Sequence, residues 1–259
     1  MKPIVTVPAA VFLLYINCGI CLIPSPGNLA GETPQTVDIG DLRLSGDAET
    51  ESVRNPEIGI RHLLLKVKTG LSDNADVGAF FFTQHSQRPD SFDYDWQANR
   101  VYGFGITYKQ TQDSRLRFFA WQSCMGIGFL EHWNYLHLDY TAIFGYEKRY
   151  VVPYCNIGVS AGCPLWVDEK NGDSFTHPRM TVAFSEYAGL KIPLSERFRI
   201  LPSIYGECGL RQTTFTQFLL VNFYALLSGG EFFWVHSMNV SAGLSWTIPD
   251  LLHFRNTSD

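Results

Sequence analysis

Two residues within one short stretch have the types that hydrolysis needs. His137 and Asp139 stand two apart, and residues two apart on a strand share a face. A histidine oriented by a carboxylate is half of a nucleophilic catalytic arrangement. The pair therefore makes the chain a candidate membrane-embedded lipid hydrolase. No serine is identifiable as its partner from sequence, with Ser160 and Ser203 the inward-facing alternatives. The competing reading is a hydrogen-bond network that satisfies polar groups inside the fold. His236 and Ser237 do not form such a pair. As neighbours on a strand they point to opposite faces, and His236 shares its face with Trp234 and Met238.

Other chemistry is missing from the sequence. It has no HExxH run, no Gly-rich phosphate loop and no dinucleotide fingerprint. Cys18 and Cys21 lie in an N-terminal apolar segment, whereas Cys124, Cys155, Cys163 and Cys208 are scattered through the body. No CxxC pair or zinc-like His spacing accompanies those four, so they read as small apolar fillers. We expect neither a metal nor a cofactor. The net charge is −5, and no Lys/Arg cluster supplies the electrostatic footprint of a nucleic-acid binder.

The elements that must position these side chains are strands. Period-two alternation is widespread after residue 36, and helical periodicity is nearly absent. Met125, Ile127 and Phe129 oppose Cys124, Gly126 and Gly128, and Leu136, Leu138 and Tyr140 oppose His137, Asp139 and Thr141. The more polar side repeatedly contains Gly, which lets a narrow barrel close without overfilling. The other side carries Phe, Trp, Leu and Ile with almost no Lys or Glu, a surface that would aggregate in water and that suits lipid. Composition agrees. Charged residues make up 17% and aromatics 14%, against roughly 25% charged in ordinary soluble domains.

The pattern predicts an all-β, antiparallel, up-and-down transmembrane β-barrel. About ten strands are expected, near 57–68, 75–84, 99–110, 115–130, 133–147, 150–164, 179–193, 197–209, 214–227 and 231–248; eight or twelve also fit the pattern. Arg61, Lys109, His137, Asp139, Glu147, Lys191, Arg199 and Glu207 are expected to line the lumen or its rim. Met125, Ile127, Phe144, Val159, Met238 and Val240 are expected near the bilayer midplane. Trp121, Trp234, Trp246, Tyr102, Tyr140 and Tyr146 are expected nearer its edges, because rings with a polar tip favour the interface.

Ahead of the barrel, Lys2 precedes an apolar run from Ile4 to Ile23 and then Pro24, Ser25 and Pro26, the form of a secretory signal. Leu13 to Cys18 resembles a bacterial lipoprotein processing site, which makes Cys18 a candidate for lipidation, although Ile16 and Asn17 are larger than that pattern's small residues. The expected division is a signal and tether over 1–30, an extension over 31–56 with an extra strand or plug near Val37–Leu44, a barrel over 57–248 and a tail over 249–259.

Gly59-Ile60-Arg61, followed by Thr69-Gly70-Leu71-Ser72-Asp73-Asn74-Ala75-Asp76-Val77-Gly78-Ala79, resembles the GLSDN-type hairpin of uncharacterised bacterial outer-membrane β-barrel proteins. Gly-rich strands such as Tyr102–Tyr108 follow that hairpin in them as well. The resemblance implies a barrel, an outer-membrane address and passage through the barrel-assembly machinery. It implies no chemistry.

Three readings follow from the sequence. The first is a non-enzymatic outer-membrane barrel in contact with membrane lipid, with a structural, adhesive or minor-solute transport role. The second is a lipid hydrolase that uses His137 and Asp139. The third is a soluble periplasmic barrel that binds a small ligand. The first and third differ in which face of the strands is apolar.

Overall fold

The computed structural model describes residues 32–52, 59–87, 100–112, 118–129, 133–146, 150–167, 181–194, 204–217, 234–249 and 251. They form ten strands: β1 (Leu42–Ser52), β2 (Gly59–Ser72), β3 (Ala75–Gln87), β4 (Arg100–Thr111), β5 (Phe119–Phe129), β6 (Trp133–Gly145), β7 (Val152–Val167), β8 (Thr181–Pro193), β9 (Ile204–Gln217) and β10 (Trp234–Ile248). Each pairs antiparallel with the next, and β1 pairs with β10, so the sheet closes on itself. A path from Leu42 across each register in turn reaches His236, four positions before Val240, the partner of Thr50. The sheet is thus staggered by twelve residues around its circumference, a stagger that tilts the strands by about 40°.

Alternation decides which side chains face out. On β2, Leu63, Leu65 and Val67 stand exposed on the outer wall while Leu64, Lys66 and Lys68 are buried inside. Around the wall, Tyr102, Phe104, Ile106, Ile157, Val240 and Leu244 are all more than half exposed. A soluble barrel would carry these groups inward. In lipid such a wall is the favourable surface, and closure satisfies the backbone hydrogen bonds of every strand. Trp121 and Phe144 also turn outward, and their rings pack on Tyr140 and Phe119 along the wall.

The interior is filled by side chains lying over glycines. A side chain at Gly128 would run into the ring of Tyr135, and one at Gly209 into the ring of Tyr187. Both tyrosines are buried.

Several boundaries differ from the sequence expectation. The barrel begins at Leu42, not near residue 57, because the second half of the expected extension is β1, the strand that seals the closure. The count of ten stands with a different membership. The break expected between strands at 197–209 and 214–227 is absent, because β9 runs through residues 210–213. Phe144, expected at the midplane, is one residue from the end of β6, and Tyr140, expected at an edge, lies within the strand. Ala161 shares the wall parity of Val159 yet is covered, packed with Cys163. Trp234 and Met238 hold wall register positions in β10, while their side chains lie outside the described residues, as do the signal segment and Cys18.

Candidate functional site

The charged groups of the lumen gather at the end of the barrel where the chain enters β1. Lys66 and Lys68 on β2 and Lys109 on β4 turn inward by strand parity, opposite the wall residues Leu65, Val67 and Tyr108. All three are at least 96% buried. They converge on Glu32, which belongs to no strand. Lys68 Nζ lies 2.8 Å and Lys66 Nζ 3.0 Å from Glu32 Oε1, and Lys109 Nζ lies 3.5 Å from Oε2.

Glu32 opens a segment without regular structure, residues 32–41, that runs into the barrel mouth before β1 starts. Polar contacts fasten it at each step. Lys109 donates to the Thr33 and Gln35 carbonyls at 3.2 and 2.6 Å. The Val37 amide donates to Asp76 Oδ2 at 3.2 Å. With the Asn156 amide oriented to satisfy both contacts, it accepts from the Glu32 amide at 2.8 Å and donates to the Glu32 carbonyl at 2.9 Å. Ile39 bridges to Gly70 in parallel, and Gly40, at φ 89°, turns the chain into β1. The wall makes room for the segment at Gly70, where a Cβ would strike the Val37 carbonyl, and at Gly145, where it would strike Pro34.

The hairpin singled out by resemblance is the dock for this segment. Asp76 binds both the Val37 amide and Lys109, the latter at 3.2 Å, and the Asp73 carbonyl accepts from Thr36 Oγ1 at 3.4 Å. The Asn74 carbonyl accepts from the Thr111 amide at 2.8 Å and ties the turn to β4.

The electrostatics of Glu32 follow from this company. Burial opposes its charge, but the ammonium groups of Lys66, Lys68 and Lys109 outweigh that penalty and hold the carboxyl well below its usual range. Lys66 is also 3.9 Å from Asp47, and Lys68 donates to Gln122 Oε1 at 2.8 Å. Removing Glu32 would leave three buried ammonium groups with only the carboxylates of Asp47 and Asp76, and one uncompensated buried charge costs about 3–5 kcal/mol.

A second polar band crosses the other side of the lumen. Lys191 is 3.5 Å from Glu207 and lies over the Tyr205 ring, while Ser245 donates to Glu207 at 3.2 Å. Arg211 Nη2 is 2.6 Å from Glu49, and the Tyr187 and Ser241 hydroxyls are 2.6 Å apart. Beyond these bands lies an aromatic layer. His137 sits among Phe80, Phe82 and Tyr135, with ring centroids 5.5, 5.5 and 6.2 Å away.

The structure thus places Lys109, Lys191, Glu207, His137 and Asp139 inside the barrel. It does not assemble the last two. Among the described residues neither imidazole nitrogen of His137 has a hydrogen-bond partner, so Asp139 does not orient it. Ser160 is the register partner of Asp139 across β6 and β7, so the serine beside the carboxylate is not set against the His137 imidazole. Arg61 occupies the register of Leu63, Leu65 and Val67, the wall parity of β2 and not the lumen parity. Glu147, Arg199 and Ser203 lie outside the described residues. Among the described residues no group of three His, Cys, Asp or Glu side chains could hold a metal ion.

Sequence reasoning missed Glu32, Lys66, Lys68, Asp76 and the Arg211–Glu49 pair. The signal for the two lysines was present in the alternation of Leu63, Leu65 and Val67 with Lys66 and Lys68. Glu32 had none, since it lies outside any periodic stretch.

No family model matches the sequence, and no curated protein matches it. Solved structures of similar architecture include Neisserial surface protein A, at 12% identity over 80% of this chain and 95% of that one with a TM-score of 0.38. An outer membrane channel from Pseudomonas putida F1 is 6% identical over 85% of this chain and 100% of the other, with a TM-score of 0.45. The beta domain of the Bordetella autotransporter BrkA is 10% identical over 81% and 99%, with a TM-score of 0.43. These low values add nothing to the architecture, which rests on the chain's own strand pairing.

Proposed function

We propose that this chain is a bacterial outer-membrane β-barrel, closed at one end by its own N-terminal segment, with a structural or adhesive role. One observation carries the reading: large apolar side chains stand exposed around the outer wall while lysines and carboxylates are buried within. Only a surrounding lipid phase makes that inversion favourable.

The closed lumen supports presentation of loops over conduction. Segment 32–41 fills the mouth, and the aromatic layer around His137 fills the interior behind it. Both ends of the barrel chain lie beside the two-residue Asp73-Asn74 turn. At the opposite end the connections are 53–58, 88–99, 130–132, 168–180 and 218–233, three of them longer than the longest at the first end, 194–203. Short turns face the periplasm and long loops face outward in barrels of this class, so the long connections are the surface-exposed, adhesive part. The resemblance of the 59–79 hairpin supports assembly by the barrel-assembly machinery as a further proposal, and that of Leu13–Cys18 to a lipoprotein processing site supports Cys18 as a candidate lipid anchor. Minor-solute transport is the second reading, favoured by the lysine-lined space that the segment occupies.

Membrane fractionation combined with gel mobility before and after boiling tests the proposal. A membrane-bound chain whose unboiled form migrates differently is expected. A soluble chain without heat-modifiable mobility would overturn it.

A further inference from the structure

One carboxylate is out of place on the wall. Among the described residues, the outward strand positions carry a single carboxylate, Glu186, the sixth of thirteen residues in β8. Its register partner on β9 is Gln212, which is also exposed. Both lie well inside their strands, away from the aqueous boundary that a short side chain would have to reach. Ile157 on β7, Ala188 and Leu210 are the apolar wall around them. Neither polar side chain has a hydrogen-bond partner among the described residues. An ionisable group held at bilayer depth is costly and marks a polar partner.

We propose that the β8–β9 face is an interface with a second copy of this chain, in which the Gln212 amide of each copy donates to the Glu186 carboxylate of the other. The inference rests on the membrane reading above. Two copies in one membrane share an orientation, so their two-fold axis lies along the membrane normal and exchanges lateral neighbours. Glu186 and Gln212 are such neighbours, about 4.5–5.5 Å apart at the backbone as opposed residues on paired strands. The axis therefore sets each acceptor against a donor and forms two reciprocal hydrogen bonds. A wall bearing Glu186 alone would set carboxylate against carboxylate. Ala188, the next wall residue after Glu186 on β8, is small and lets the two walls approach closely there. The far side of the barrel carries Tyr102, Phe104 and Phe129 instead, whose stacked and tilted rings suit lipid.

The test is the oligomeric state of the full chain in mild detergent, read by sedimentation and paired with gel mobility before boiling. A dimer is expected. Gln212→Glu places four carboxylates at the contact and should weaken the dimer by about tenfold or more. Adding Glu186→Gln to that variant restores the donor–acceptor exchange and should restore the dimer. A wild-type monomer with heat-modifiable mobility would overturn the interface and leave the membrane reading standing. So would a dimer indifferent to Gln212→Glu. A chain with no heat-modifiable mobility would remove the membrane reading and the interface with it.

Discussion

Lys68 Nζ stands 2.8 Å from Glu32 Oε1, so a strand of the wall and a segment outside the strands share one buried ion pair. Glu32→Ala deletes the carboxylate and leaves Lys66, Lys68 and Lys109 facing one another, at a cost of about 3–5 kcal/mol in holding the segment. Cys124 is a native thiol buried in the lumen and reports the change. A small thiol reagent should modify it about tenfold faster, or more, in Glu32→Ala than in wild type, measured by peptide mass spectrometry. Equal rates would show that the segment is held without its carboxylate.

The same contact has a pH signature. The Glu32 carboxyl is held well below its ordinary value of 4.5. A depressed carboxyl stabilises the folded arrangement above the ordinary value and loses that contribution only as pH falls through the lowered one. Protection of Cys124, probed with a pyridyl disulfide, which reacts with thiols in acid, should therefore persist at pH 4.5 and fail in more acidic solution. Loss of protection by pH 5 would contradict the ion pair.

Depth along β10 is testable with a single charge. Val240 is 60% exposed on the wall in the interior of β10, and Trp246 is two residues from its end. Val240→Arg should cost about 2–4 kcal/mol and hinder assembly, whereas Trp246→Arg should cost close to nothing electrostatically. Protease resistance in membranes scores both. Equal tolerance would mean that no bilayer surrounds these residues.

Gly128→Ala should damage folding more than its size implies. The new methyl would strike the ring of Tyr135, which is fully buried and has nowhere to move. Overpacking of this kind costs about 1–3 kcal/mol. At Gly46 the nearest atom is a flexible Leu65 methyl at 3.3 Å, so Gly46→Ala should fold almost normally. The temperature at which heat-modified mobility appears compares the two.

His137→Phe distinguishes packing from chemistry. The imidazole is enclosed by rings and makes no hydrogen bond, so a phenyl group should leave stability unchanged or slightly raised, within about 1.5 kcal/mol. The thermal unfolding of the folded barrel measures this. A large loss of stability would show that His137 has a polar role.

What the sequence made legible was the alternation of large apolar and small polar groups. It located the strands wherever the wall residues are bulky, as in Met125, Ile127 and Phe129. It failed on β1, whose outward positions include Gly46, Ala48 and Thr50 and whose inward ones include Asp47 and Glu49. That stretch shows no apolar stripe, and its place in the barrel depends on β2 and β10 flanking it. The same limit split β9, because Arg211 reads as a loop residue until Glu49, far away in sequence, pairs with it. Lys66 and Lys68 were visible as lumen residues. Their common partner was not, because Glu32 is placed by tertiary contact alone.

The seam between β1 and β10 brings Arg43 to within 3.1 Å of Thr247, residues 204 apart in the chain. Long loops are entropically expensive to close before any reward is received. Segment 32–41 leads directly into β1, yet the contacts that fasten it come from β2, β3, β4, β6 and β7. The seat of the stopper therefore lies away from the seam. A barrel sprung open between β1 and β10 would keep the partners that hold the stopper in its mouth.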